Sequence, residues 1–344
     1  MPNRFLKELL PIIIGRLFRK HKNTAASSIL DNPQSILLIK QSERIGNIVL
    51  LNAAISGLAL RYPSAKIDLL LPAVYMNVMT ANSHVSSIIP VYKRKYVLKP
   101  WMLLRLIGNI RRQQYGLAID CSDVNSHSST GLLYTLMSGA KLTAGWRMSS
   151  KRMFDIEIAR YTETIHASEM YLRLLSAIFK SEIRGEPYFD LENIPKAHSG
   201  ANVGINCGGR GNKRWPLQNF IQVGKLLSIR GYRIDFILGP DENSIRSELA
   251  ANLPDGCSLL PLTPLPKLMQ LMAGYQTFIS SDTGPMHLAW SLRLPVIGIF
   301  IDSEIEKFRP LSPGSMALDG KENLAPERVT EIALQILNSR KINA

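Results

Sequence analysis

A strand-like run ending near residue 280 gives way to Ser281-Asp282-Thr283-Gly284-Pro285-Met286-His287 and then to helical spacing. A small, glycine-containing turn between a strand and a helix suits an anion. The helix start carries unpaired N–H groups and positive dipole potential. Gly284 lets the backbone approach a phosphate closely, and Thr283 adds a hydroxyl. Pro285 fits the first turn, where its missing N–H removes nothing. His287 falls within that turn, beside the expected diphosphate. Asp282 or Thr283 could instead simply cap the helix. Capping does not explain why polar groups and a histidine gather at a strand's C-terminal end, where open α/β sheets bind ligands.

A second loop, 207–216, follows the apolar run at 202–206 and holds three glycines with Arg210, Lys213 and Arg214. Such a flexible basic loop can wrap phosphates. It lacks the spacing of a Walker A loop. A third, Lys40-Gln41-Ser42-Glu43-Arg44-Ile45-Gly46-Asn47, leaves the first strand. Asp120 ends another strand, with Asp123 and His127 shortly after it, and equally suits a turn or cap. From Tyr92 to Arg112 aromatic and basic residues interleave. That stretch reads as a solvated basic helix, a membrane or phospho-sugar surface, or a nucleic-acid surface.

These loops need strands to hold them. Residues 36–40 form a short, continuous apolar run, the signature of a strand buried on both faces. Helical stretches are expected at 48–62, 74–81 and 100–114, alternating with strands at 66–71, 87–91 and 117–120. The pattern restarts beyond a stretch rich in proline and glycine, 185–200. Strands are expected at 202–206, 233–238, 277–280 and 295–300. Helices are expected at 217–230, 243–251, 265–273, 285–291 and 326–337. Strand–helix alternation implies parallel βαβ units. The expected organisation is a basic extension (1–34) and two Rossmann-like domains (35–185 and 186–344).

Composition is compatible with two folded domains: 344 residues, 46% hydrophobic and 20% charged. A net charge of +14 favours an anionic partner. Charge is the sole support for nucleic acid, which is set aside. Cys121, Cys207 and Cys257 are widely spaced, forming neither a disulfide framework nor a zinc site. No apolar stretch approaches the roughly 20 residues of a membrane span. Leu9 to Gly15 is short, and its basic residues mostly follow it, so no export signal is read. The first 22 residues suit either an interfacial membrane helix or an extension packed on the domain. Pro11 interrupts that helix.

Taken together, the loops resemble glycosyltransferase family 9, which includes the lipopolysaccharide heptosyltransferases. The resemblance spans roughly residues 36–300. It is most specific at Asp282-Thr283-Gly284-Pro285-Met286-His287-Leu288-Ala289 with Leu294-Pro295-Val296, and at Lys213-Arg214-Trp215-Pro216 with Phe220. It implies a GT-B fold, an α/β architecture of two Rossmann-like doubly wound domains facing a central cleft. The resemblance makes 35–185 the acceptor-binding domain and 186–344 the nucleotide-sugar-binding one. It further implies metal-independent, inverting transfer of heptose from an NDP-heptose, usually ADP-heptose, to a lipopolysaccharide core or other phosphorylated glycolipid. No cofactor or metal is expected. Lys213 would contact the donor diphosphate and Glu242 would lie near the nucleoside. Arg210, Asp282, Thr283, Gly284 and His287 complete the expected donor site. The expected location is cytoplasmic, peripheral on an anionic membrane.

Two positions depart from the family. Its first donor loop usually has a small hydroxyl residue where this chain has Gly209-Arg210-Gly211, with the charge of Arg210 as compensation. The second lies in the N-terminal domain. The first loop there usually ends in Gly-Asp, and that aspartate is taken as the general base; here it is Gly46-Asn47. An amide cannot take the acceptor proton. The role passes to Asp120, at a strand end, or to Glu43, inside the loop. Otherwise the acceptor hydroxyl is activated by another route, or the chain is a sugar-nucleotide-binding pseudoenzyme. The rival enzyme readings are a GT-B enzyme for a different sugar and a sugar-nucleotide epimerase.

Overall fold

The computed structural model describes residues 26–342 except 127, 149–151, 196, 198, 199, 201, 210, 212, 213 and 322, with backbone alone at 340–342. The chain divides into two compact units, Met1–Pro187 and Tyr188–Ala344.

In the first unit the described elements are α1 (Ala26–Asp31), β1 (Ser35–Ile39), α2 (Ile45–Val49), α3 (Asn52–Arg61), β2 (Lys66–Pro72), α4 (Met76–Met79), β3 (Ser87–Val91), α5 (Lys93–Leu98), α6 (Pro100–Arg112), β4 (Leu117–Asp120), α7 (Ser129–Met137), β5 (Leu142–Trp146), β6 (Ile156–Ile158) and α8 (Ala167–Phe179). The strands pair in parallel in the order β3-β2-β1-β4-β5-β6. Ile36, Leu37, Leu38 and Ile39 of β1 are fully buried. A central parallel strand covered on both faces reads as an unbroken apolar run for this reason.

In the second unit they are β7 (Val203–Asn206), α9 (Leu217–Ser228), β8 (Ile234–Ile237), α10 (Asn243–Ala251), β9 (Cys257–Leu259), α11 (Leu265–Met272), β10 (Thr277–Ser281), α12 (Gly284–Ser291), β11 (Val296–Phe300), α13 (Ile305–Phe308), β12 (Met316–Asp319) and α14 (Pro326–Ile342). Its parallel sheet runs β12-β11-β10-β7-β8-β9. Read from β9, this is third, second, first, fourth, fifth, sixth, the winding of the first sheet. Each unit therefore has the doubly wound, Rossmann-like sheet expected. In each, chain direction across the sheet reverses between the first and fourth strands, where such folds bind ligands.

The duplication extends to one buried pair. Tyr115, just before β4, donates to Asp68 of β2 at 2.5 Å. Tyr275, just before β10, donates to Asp235 of β8 at 2.7 Å. Each phenol hydrogen-bonds a buried carboxylate, and Asp68 also faces Lys66 Nζ at 3.2 Å. The Tyr115 hydroxyl is held protonated by burial and by Asp68.

Two expected helices differ. The stretch 48–62 is two helices, because the chain turns at Leu50 and Leu51, both buried. The first of them starts earlier, at Ile45. The stretch 74–81 reduces to a 3-10 turn, Ala73–Tyr75, and the short α4.

Candidate functional site

The ends of β7 and β10 meet in a network centred on Asn206. Its buried amide donates to Ser280 Oγ at 3.0 Å and to Thr283 Oγ1 at 2.9 Å. Thr283 occupies the N-cap position of α12 with extended backbone, yet its side chain makes no cap hydrogen bond. The hydroxyl is turned to Asn206, so the first turn of α12 is not capped by Thr283. Uncapped N–H groups at a helix start are an anion site. Gly284 begins that helix, with Pro285 in its first turn.

His287 is buried on α12. Its Nδ1 accepts from Trp290 Nε1 at 3.2 Å, and its Nε2 lies 3.5 Å from Asp282 Oδ1. A neutral imidazole whose Nδ1 accepts carries its proton on Nε2. His287 therefore directs a donor at Asp282, whose side chain is itself largely buried.

The glycine loop after β7 is tied to Glu242, which precedes α10. Glu242 Oε1 accepts from Gly209 N at 3.2 Å. A Cβ on Gly208 would lie 2.9 Å from that oxygen, and one on Gly239 2.6 Å from Oε2. Both glycines are thus needed for close approach of the carboxylate. Arg214 Nη2 donates to Gly209 O at 3.0 Å, and Trp215 N donates to Ser281 Oγ at 3.2 Å, fastening this loop to the end of β10. Glu242 and Asp282 thus belong to strand-end loops of one sheet, and Thr283, Gly284 and His287 to the N-cap and first turn of the helix that follows β10. Arg210 and Lys213 lie outside the described residues, as does His127.

In the first unit the ends of β1 and β4 converge on Asp123. Lys40, fully buried, donates from Nζ to Cys121 O at 2.9 Å and to Asp123 Oδ1 at 3.2 Å. It also lies 4.8 Å from the Tyr171 ring centroid. Tyr171 OH, on α8, reaches Asp123 Oδ1 at 3.2 Å and Asn47 O at 3.4 Å. Burial, with Asp123 beside it, holds that hydroxyl protonated well above the usual tyrosine range. Asn47 Nδ2 donates to Ser42 Oγ at 3.2 Å and to Asp123 Oδ2 at 3.4 Å.

The two carboxylates expected to serve as base engage Ser122 and Lys93. Asp120 is buried, and its Oδ1 accepts from the Ser122 hydroxyl at 2.7 Å and the Ser122 N–H at 3.0 Å. Burial pushes its carboxyl up to about 6, against hydrogen bonds from Ser122. Glu43 is 83% exposed and points to Lys93 Nζ at 3.2 Å. Asp123, 33% exposed, is the carboxylate in contact with Asn47. Its signal in the sequence was its place three residues beyond the end of β4. Asn206 had a comparable signal, a polar residue closing an apolar strand. Tyr171 had none.

The family model for glycosyltransferase family 9 (heptosyltransferase) matches residues 103–337. Lipopolysaccharide heptosyltransferase 3 of Escherichia coli is 23% identical over 290 residues, covering 78% of this chain and 84% of its own. The solved Escherichia coli ADP-heptose lipopolysaccharide heptosyltransferase II superposes with a TM-score of 0.75 at 20% identity, covering 89% and 99% of the two chains. An Escherichia coli heptosyltransferase solved with ADP gives 0.72 at 19%, covering 88% and 99%. The chain belongs to glycosyltransferase family 9 and is a glycosyltransferase.

Proposed function

We propose that the protein transfers a heptose from ADP-heptose to a lipopolysaccharide core acceptor, with inversion at the anomeric carbon. The observation that carries this is the Asn206–Thr283 network, which turns the hydroxyl away from the helix start at the switch point of the second sheet. The diphosphate sits at the start of α12, with Lys213 and Arg210 supplying positive charge. As the bond to the anomeric carbon breaks, these groups stabilise the departing nucleoside diphosphate. Asp282 cannot be a phosphate ligand, since both would be anionic. It accepts hydroxyl hydrogens from the sugar. Glu242 orders the glycine loop toward the nucleoside.

The acceptor binds at the first unit, which also docks on anionic membrane through α5 and α6. Residues 92–112 hold seven basic residues and no acidic one. Val97, Leu98, Trp101 and Leu104 project there, between 62% and 82% exposed. Apolar side chains among lysines and arginines match the headgroup boundary of an anionic bilayer. A cavity of about 610 Å³, lined by Tyr92, Tyr96, Lys99, Trp101 and Arg105 among others, lies beside this surface.

Calorimetry with ADP, UDP and GDP, followed by transfer assays with ADP-heptose and heptose-less core lipopolysaccharide, tests the function. ADP binding that Lys213→Ala weakens at least tenfold, with heptose added to the acceptor, is expected. Preference for another nucleotide, or transfer of another sugar, overturns the donor assignment.

A further inference from the structure

We infer that Asp123 is the general base that takes the acceptor proton in this chain, with Asn47 and Lys40 as its positioning residues. This rests on the glycosyltransferase reading and adds to it a residue that replaces the missing carboxylate at position 47.

Three groups converge on Asp123 from three elements. Lys40 comes from the end of β1, Asn47 from α2 and Tyr171 from α8. Lys40 and Tyr171 both engage Oδ1, at 3.2 Å each. Oδ2 meets the Asn47 amide, and the side chain is one-third exposed, so this oxygen is the one placed to meet a hydroxyl. An aspartate at 47 would set two carboxylates against each other. An asparagine there donates a hydrogen bond instead. The amide that removes basicity from position 47 thus orients a carboxylate in the same spot.

The alternatives fail on position. Asp120 is buried and its Oδ1 is engaged by Ser122, which orders the turn toward Asp123. Glu43 has its carbonyl held by Tyr75 at 2.5 Å while its carboxylate faces outward to Lys93. In the step itself, the acceptor O–H proton passes to Asp123 Oδ2. The freed oxygen pair forms the bond to the anomeric carbon. The bond from that carbon to the diphosphate oxygen breaks, and its electrons leave with the nucleoside diphosphate.

The test compares wild type, Asp123→Asn, Asp123→Glu and the double variant Asn47→Asp/Asp123→Asn, by transfer to core acceptor and by slow transfer to water. ADP affinity and thermal unfolding are recorded for each. Asp123→Asn is expected to lower kcat at least a hundredfold while ADP affinity and donor KM hold. Asp123→Glu keeps the charge beside Lys40 and is expected to lose less than tenfold. The double variant returns the carboxylate to position 47 and is expected to recover at least tenfold of the loss. If Asp123→Asn fails to fold, the last two variants carry the test. Asp123→Asn within threefold of an active wild type overturns the assignment, as does a folded double variant with no recovery. A wild type that transfers to neither acceptor nor water overturns the enzymatic reading itself, and the base with it.

Discussion

Trp290 donates its indole N–H to Nδ1 of His287 at 3.2 Å, within one turn of α12. The contact fixes which imidazole nitrogen carries the proton and aims it at Asp282, 3.5 Å away. His287 therefore acts through Asp282, and its loss is felt where that carboxylate is used. His287→Ala is expected to raise the KM for ADP-heptose about tenfold while ADP itself binds within threefold of wild type. His287→Gln, which can still donate toward Asp282, is expected to recover part of the loss. Equal weakening of ADP and ADP-heptose would place His287 on the diphosphate instead.

The glycine loop makes a second prediction, on close approach. Gly208→Ala puts a Cβ 2.9 Å from Glu242 Oε1 and 3.3 Å from Asn206 Oδ1, so both anchors must shift. Gly211 has left-handed backbone, φ +58°, but open space around it. Gly211→Ala therefore carries only local strain, about 1 kcal/mol. Calorimetry is expected to show ADP affinity falling at least tenfold in Gly208→Ala and less than threefold in Gly211→Ala. The reverse order would mean that loop conformation, rather than the Glu242 contact, controls binding.

The sheets were legible because their central strands are covered on both faces and hence continuously apolar, as in β1 and β11. Loops leaving such strands could be read as sites without knowing any contact. What stayed hidden includes β5, α7 and the 13-residue α8, all in a stretch where no element was expected. Other hidden features were short or distant. The edge strands β6 and β9 have three residues each, too few to show a period. Tyr171 reaches Asn47 across 124 residues, a separation that no local spacing encodes. Asp120 and Asp123 have the same chemistry in sequence. Only burial separates them, and burial follows from how α7 covers the end of β4, where a Cβ on Gly131 would lie 2.9 Å from Asp120 Oδ1.

That burial makes Asp120 a stability residue with a definite pH sign. Its folded carboxyl titrates at about 6, raised by burial from 3.8. The folded state thus holds this proton more tightly than the unfolded chain. Ionising Asp120 costs stability, fully above about pH 6 and not at all below 3.8. Asp120→Asn keeps an oxygen for Ser122 and removes the charge. Urea unfolding is expected to show the variant gaining on wild type as pH rises from 4 to 7, by a few kcal/mol at most. Its kcat is expected to stay within tenfold of wild type. A pH-independent difference would show that the Asp120 charge is relieved in the folded protein.

The basic and apolar surface on α5 and α6 predicts a membrane contact with two separable parts. Counterions screen the lysine and arginine contribution, whereas buried apolar area is nearly indifferent to salt. Among the described residues no helix is long and apolar enough to cross a membrane. Co-sedimentation with vesicles of phosphatidylglycerol and phosphatidylcholine is expected to retain the protein, and vesicles of phosphatidylcholine alone to release it. Lys95→Glu/Lys99→Glu is expected to weaken binding and flatten its salt dependence. Trp101→Ser/Leu104→Ser is expected to weaken binding while leaving the salt dependence intact. Neither pair touches the Asn206 or Asp123 networks, so ADP affinity should hold in both. Vesicle binding unchanged in both pairs would remove α5 and α6 from the membrane contact. Loss of RNA retention, rather than lipid retention, in the charge-reversed pair would assign the surface to nucleic acid.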